Sequence, residues 1–279
     1  MIADSLLHGW ALDPLVLGAA AVVALQFGRA FSKLRRRGRT DHAGWDRAAL
    51  FAAGLVVAVL PLISPLDRTG DDELLSAHML QHMLIGDAAP ALLVVAVRGP
   101  LLAFMIPAPA ARFVHRRRNL RKLAAWLTRP LVSIALWASA MAIWHIPALY
   151  DAALRRQWLH DLEHTSFVAA GLLVWMQLVD PARRGRLSLG RRIAFAGAVF
   201  VLGQVLSEVL LLAPSALYPA YADRPTRLFG LSPLTDQQYA GLVMMAEQLV
   251  TLGTCVWLLV VHALPSTDRN RPTLTAVVR

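Results

Sequence analysis

Five of the nine histidines in this sequence are candidate transition-metal ligands, and four of them form two pairs with a helical spacing. His78 and His82 are four residues apart, and His160 and His164 repeat that spacing. In a helix, this separation places both imidazoles of a pair on one face. A fifth histidine, His145, lies in the segment WHIPALYD. Because imidazole binds copper and zinc, these five residues are the predicted metal ligands.

Other side chains at a similar predicted depth are candidates for an auxiliary role. Methionine sulfur favours Cu(I), although a methionine in a helical bundle more often packs than coordinates. Carboxyl groups inside a bundle pair with arginine or histidine, or form steps of a proton path, and the sequence leaves that choice open. The auxiliary candidates are Met79, Met83, Asp87, Glu163, Glu208, Asp236, Met244 and Glu247.

One short motif suggests a peptidase, but the pattern is weak. Residues 160–164, HDLEH, match the H-x-x-E-H signature of a class of zinc peptidases. Three fixed positions arise readily by chance, and HMLQH at residues 78–82 lacks the glutamate that H-E-x-x-H requires.

The single cysteine, Cys255, excludes a disulfide framework or a CxxC motif and is expected to pack. The chain is therefore predicted to bind metal without being an enzyme.

The elements that position these residues are predicted to be membrane helices. The sequence is 57% apolar and only 16% charged, whereas a soluble domain carries roughly 25% charged residues. The predicted fold class is an all-α, polytopic transmembrane helical bundle that forms one integral membrane domain over residues 1–279. Seven apolar runs are long enough to cross a bilayer, which takes about 20 residues. They are residues 14–32, 47–66, 74–97, 131–149, 161–179, 193–213 and 239–263.

Charge sets the predicted orientation. Twenty-three lysines and arginines fall on one predicted side of the bundle and five on the other, which places the N-terminus outside and the C-terminus in the cytoplasm. The histidines then lie in the extracytoplasmic half. This asymmetry explains the net charge of +10 without a nucleic-acid partner. Residues 101–127 are too basic to span and are predicted to lie on the membrane surface. The first ten residues lack a basic n-region, so no cleavable signal peptide is expected.

The chain resembles the multi-spanning CtaG family of cytochrome c oxidase assembly factors. The resemblance covers most of the chain, from the second span to the seventh, with its segments in the family's order. A tryptophan often follows the methionine of the family's last span, where this chain has Met245-Ala246-Glu247, so the resemblance assigns no role to Glu247. The matching segments are HMLQHML at 78–84 running to Ala89-Pro90, WHIPALYD at 144–151, residues 160–164 with Phe167 and 171–175, DQQ at 236–238, AGL at 240–242, and Met244.

The resemblance implies a role in maturing a haem–copper terminal oxidase in a bacterial inner membrane. Copper is then the implied metal, and the implied partners are oxidase subunits and the lipid bilayer. Two alternatives remain open. One is a b-type haem electron carrier with axial histidines from the third and fifth spans. The other is a copper or proton-coupled transporter, in which Asp87, Glu208 and Glu247 continue a path inward.

Overall fold

A computed structural model describes residues 9–224 and 228–264, in which every regular element is a helix, so the all-α prediction is confirmed. Some residues on which the signal-peptide and orientation predictions depend lie outside the described residues. They are residues 1–8, Arg227, Arg269, Arg271 and Arg279. In chain order the helices are α1 (Pro14–Arg36), α2 (Trp45–Ile63), α3 (Pro65–Asp72), α4 (Leu75–Met83), a π-helical turn (Leu84–Ala88), α5 (Ala89–Ala96), α6 (Pro100–Met105), α7 (Ala108–Arg116), α8 (Arg118–Leu127), α9 (Pro130–Trp144), α10 (Pro147–Leu154), α11 (Gln157–Val179), α12 (Leu189–Leu212), α13 (Pro219–Ala222) and α14 (Pro233–Ala263).

Six helical stretches of the described chain are long and apolar enough to cross a membrane. A further pair, α8 and α9, passes the same test only when taken together, and it is bent by 73°. The 15 residues of α9 are about 22 Å long, which is less than the roughly 30 Å hydrocarbon core. A seventh span therefore stays a prediction. The six stretches are Pro14–Arg36, Thr40–Ile63, Leu75–Ala96, Gln157–Val179, Leu189–Leu212 and Pro233–Ala263.

Proline sets many of the helix boundaries. A proline at the first helical position lacks an amide hydrogen that would be unsatisfied there anyway, and its φ angle suits a helix. Seven helices of the described chain begin in this way, namely α1, α3, α6, α9, α10, α13 and α14. The predicted span 131–149 is consequently divided, because α9 ends at Trp144 and α10 begins at Pro147. The last span begins at Pro233, six residues before the predicted start.

The bundle has two chemically different ends. At the basic end, the loops after α5 and α11 meet, because the amide of Gly99 donates to the carbonyl of Pro181 over 2.7 Å. There the guanidinium of Arg47 also donates to the carbonyl of Arg98. At the histidine end, the start of α14 contacts the start of α4, where the amide of Leu75 donates to Asp236 over 2.7 Å. The side of the membrane that each end faces stays a prediction.

The stretch formed by α4, the π turn and α5 is the most enclosed part of the bundle. In the most apolar window of this stretch 56% of the residues are buried, compared with 17% in the most apolar windows of α1 and of α14. Large apolar side chains such as Leu25, Val201 and Leu249 point outward instead, as expected of helices that face lipid. Residues carried by α4 are therefore held in the interior.

Candidate metal centre

Four of the five predicted ligands form one compact group in the interior. His78 and His82 from α4 and His160 and His164 from α11 each offer a ring nitrogen, and these atoms all lie within 4.8 Å of one another. His78 is 0% exposed and His82 1%, while His164 is half-buried. The ring centroids are 4.3 Å apart within the first pair and 4.1 Å within the second. Each pair shares a helix face, as its spacing predicts.

A glycine contact lets the two helices approach closely enough for the pairs to meet. Gly171 on α11 lies against the π turn, and a Cβ atom at this position would be 1.9 Å from the carbonyl oxygen of Gly86. Pro90 follows two residues after the turn, and it has no amide hydrogen to donate to that carbonyl. One turn away from Gly171, the ring of Phe167 packs 4.8 Å from the ring of His82. Backbone contact at Gly171 thus places α11 beside α4.

The buried ring nitrogens lack hydrogen-bond partners among the described residues. Both nitrogens of His82 are in this state, together with Nε2 of His78, of His160 and of His164. A buried polar atom without a partner costs about 1–3 kcal/mol, so structural histidines are normally hydrogen-bonded. A cation held by all four residues would accept these lone pairs.

The group is slightly wider than a closed metal site. Imidazole nitrogens bind zinc at about 2.0–2.1 Å, which corresponds to about 3.3 Å between the nitrogens of a tetrahedral site. The observed limit of 4.8 Å therefore requires each ring to move by about 1 Å or less toward a common centre. The arrangement fits one ion.

Two carboxylates adjoin the four histidines. Glu163, an auxiliary candidate, is 1% exposed and has Oε1 3.9 Å from Nε2 of His82. Asp71, at the end of α3, has Oδ1 3.1 Å from Nδ1 of His78 and 3.7 Å from Nε2 of His160. Burial raises the pKa of the Asp71 carboxyl, and the nearby His160 opposes that rise. Sequence reasoning missed Asp71. The available signal was its place in an acidic loop directly before the first histidine pair.

An open pocket connects Asp71 to the outside at the histidine end. Its volume is about 570 Å³, and Asp67, Asp71, Asp72 and Asp151 contribute its acidic lining. Burial raises the pKa of Asp67 to about 6, with the Asp71 charge adding to the shift and a hydrogen bond from Gln81 opposing it. The pocket's arginines, at positions 68, 155 and 224, offset part of this negative charge. Asp71 is thus both a wall of the pocket and a neighbour of two histidines.

His145 lies close by but outside the four-histidine group. Its Nδ1 is 2.8 Å from the carbonyl oxygen of Met141, and its Nε2 is 3.3 Å from the sulfur of Met79. Both ring nitrogens are therefore engaged within the protein. Met79, Met83 and Met244 belong to one buried apolar cluster and are 0%, 3% and 2% exposed, respectively. Their sulfurs lie in a packed interior, as the packing interpretation of the methionines expects.

Asp236 contacts the site indirectly. Its carboxylate accepts hydrogen bonds from the amides of Leu75 and Ser76 and from the Ser76 hydroxyl, over 2.7, 3.1 and 2.6 Å. These contacts satisfy amides at the start of α4 that have no carbonyl partner within the helix. Asp236 therefore positions the helix that carries the first histidine pair.

The remaining acidic candidates lie elsewhere. Asp87, on the π turn, accepts hydrogen bonds from the indole of Trp175 and from the hydroxyl of Thr251, the latter over 2.9 Å. Glu247 lies beside Asp87, one turn before Thr251 on α14, which places a carboxyl pair deeper in the bundle than the histidines. Glu208 is exposed on α12.

The model of one family, described as cytochrome c oxidase caa3 assembly factor, matches residues 25–266. Uncharacterised proteins of Mycobacterium bovis and Mycobacterium tuberculosis are each 26% identical over 245 residues, and one of Mycobacterium leprae is 25% identical over 243. Each match covers 83% of this chain but 36% of the relative, so the chain spans little more than a third of the length of these curated relatives. No solved structure matches the chain.

Proposed function

Because the chain belongs to the family of cytochrome c oxidase caa3 assembly factors, we propose that it binds a copper ion and delivers it to an oxidase subunit. The ion is cargo in this proposal, and its transfer requires no covalent chemistry. The membrane is a bacterial inner membrane, and the histidine end faces its extracytoplasmic side, where copper reaches the assembling oxidase. The partners are oxidase subunits and the surrounding lipid.

The observation that carries this proposal is the buried four-histidine group with its unpartnered ring nitrogens. Four nitrogens within 4.8 Å match the ligand number of a tetrahedral site. Imidazole accommodates copper and zinc alike, so the choice of copper rests on the family's connection with a copper-containing oxidase. Neutral ligands also suit cargo, since a site made of thiolates would hold copper more strongly.

The acidic pocket offers a route by which the ion reaches the histidines. A cation entering from the histidine end first meets the carboxylates of the pocket, which attract it. Asp71 follows, 3.1 Å from His78 and 3.7 Å from His160. We propose that Asp71 transfers the ion between the pocket and the four histidines, and that the same route serves release.

Haem binding is less consistent with the packing of these rings. A haem iron bound by one histidine of each pair would require a porphyrin plane to pass between the two imidazoles. The rings of His78 and His160 are 5.3 Å apart, and those of His82 and His164 are 5.1 Å apart. The four side chains and Phe167 fill this space themselves, which favours a bare ion.

Metal analysis of the purified full-length chain tests the proposal. After anaerobic loading with Cu(I) and desalting, we expect one copper per wild-type chain and less than a tenth of that for His78→Ala with His82→Ala. The matched control is His115→Ala with His262→Ala, which removes two exposed histidines away from the group. Equal copper in both double variants would refute the four-histidine site. An optical spectrum of the same samples tests the haem alternative, because a Soret band at stoichiometric intensity would establish it.

A further inference from the structure

Four arginine side chains surround one pocket at the basic end, on the opposite side of the bundle from the histidines. The pocket has a volume of about 540 Å³, and its charged lining consists of Arg47, Arg98, Arg183, Arg192 and a single carboxylate, Asp180. These residues come from the start of α2, the loop after α5, the loop after α11 and the start of α12. The fold therefore gathers positive charge that is dispersed along the sequence.

The single carboxylate is already engaged within the protein. Oδ2 of Asp180 lies 3.2 Å from the guanidinium of Arg192. The same side chain accepts hydrogen bonds from the backbone amides of Arg184 and Gly185, over 2.9 and 2.8 Å. Asp180 thus neutralises Arg192 and holds the loop in place. The charges of Arg47, Arg98 and Arg183 remain without a carboxylate among the residues that line the pocket.

Arg47 is the most constrained of the three. It is only 9% exposed, and its one hydrogen bond within the described chain runs to the carbonyl of Arg98. A guanidinium carries five N–H donors and does not lose its charge at any physiological pH, so one hydrogen bond leaves capacity for a further acceptor. Three like charges around one cavity repel one another unless an anion lies between them.

We infer that this pocket binds a phosphate group. The planar donor fork of arginine matches phosphate oxygens in pairs, and several such forks around one cavity are typical of phosphate sites. The pocket lies where four membrane-helix segments end, which is the depth of lipid headgroups. Basic pockets between membrane helices bind anionic headgroups, so an anionic phospholipid is one source of the phosphate, and soluble phosphate is the other.

Thermal unfolding of the purified full-length chain in neutral detergent tests this inference. Phosphatidylglycerol, phosphatidylcholine and inorganic phosphate are titrated separately, and the midpoint of unfolding is recorded. The test variant is Arg98→Gln with Arg183→Gln, because both side chains are exposed and their loss should leave the fold intact. The matched control is Arg118→Gln with Arg121→Gln, which removes the same charge from an exposed face of α8.

We expect phosphatidylglycerol to raise the unfolding midpoint of the wild type at concentrations where phosphatidylcholine has no effect. The test variant should require at least roughly tenfold more lipid than the wild type for the same shift of the midpoint, while the control should respond as the wild type does. If inorganic phosphate produces the same variant-dependent shift and the lipid does not, the phosphate site stands and its source is soluble. Equal responses of test and control variants to both ligands, or no response of the wild type to either, would overturn the inference.

Discussion

Replacing Gly171 by alanine tests whether the contact between α11 and the π turn sets the geometry of the four histidines. The added methyl carbon would lie 1.9 Å from the Gly86 carbonyl oxygen, whereas carbon and oxygen normally approach to about 3.3 Å. The obstacle is backbone, so the two helices must separate by about 1 Å or more. Because the ring nitrogens already need about 1 Å of closure, this displacement leaves one histidine pair out of reach of the ion.

We expect Gly171→Ala to weaken Cu(I) binding by about 10–100-fold, the range found when the support of a metal ligand is lost. Overpacking should also lower the free energy of unfolding by about 1–3 kcal/mol. Affinity is measured by competition with a chromophoric Cu(I) chelator, and stability by thermal unfolding without metal. The matched control is Gly253→Ala on α14, where an added methyl meets nothing within 4 Å and should leave copper binding unchanged.

The two glycine variants give a clear refutation. If Gly171→Ala binds Cu(I) as tightly as the wild type and Gly253→Ala does too, the close approach of the helices does not determine the site. Weakened binding in both would show that the effect comes from helix propensity or membrane insertion rather than from the contact with Gly86.

Three further predictions address the acidic residues. Asp71→Asn should slow Cu(I) loading several-fold in stopped-flow measurements, because it removes the charge between pocket and histidines, whereas Asp223→Asn, at an exposed carboxylate that does not line the pocket, should leave the rate unchanged. Asp236→Ala should lower the free energy of unfolding by about 1–3 kcal/mol, because it leaves the Leu75 and Ser76 amides unpaired. Asp236→Asn should lower the free energy of unfolding by less. Equal thermal stability of the wild type and the two variants would contradict this prediction. Since the folded-state pKa of Asp67 is raised to about 6, the folded protein binds the proton more tightly, and the stability contribution of Asp67 should fall as pH rises from about 4 to 6. The difference in unfolding midpoint between Asp67→Asn and the wild type should therefore change across that window, and a constant difference would contradict it.

Much of the fold follows from local features of the sequence. Long apolar runs predict membrane helices because a spanning backbone must satisfy its hydrogen bonds within the helix. Prolines such as Pro147 and Pro233 mark helix starts, and these starts differ from the predicted span boundaries. The resemblance to the oxidase assembly family is confirmed by the match over residues 25–266.

The site was predictable only in part. The spacing of His78 with His82 and of His160 with His164 predicts two shared faces, but it does not determine whether those faces meet. His145 and Glu208 show the limit of assigning residues by depth alone. Depth along a helix axis leaves rotation about that axis undetermined. In the structure, His145 is engaged by Met141 and Met79, while Glu208 is exposed on α12.

Local features of the sequence specify the class of protein and the chemistry of its ligands, since composition, charge asymmetry and helical spacing depend on residues close together in the chain. How those ligands combine depends on tertiary packing. Contact between Gly171 and Gly86 brings together two histidine pairs that are about 80 residues apart in the chain, and α3 places Asp71 beside them. Such contacts join residues far apart in sequence, and they depend on the shape of two packed surfaces that no local pattern encodes.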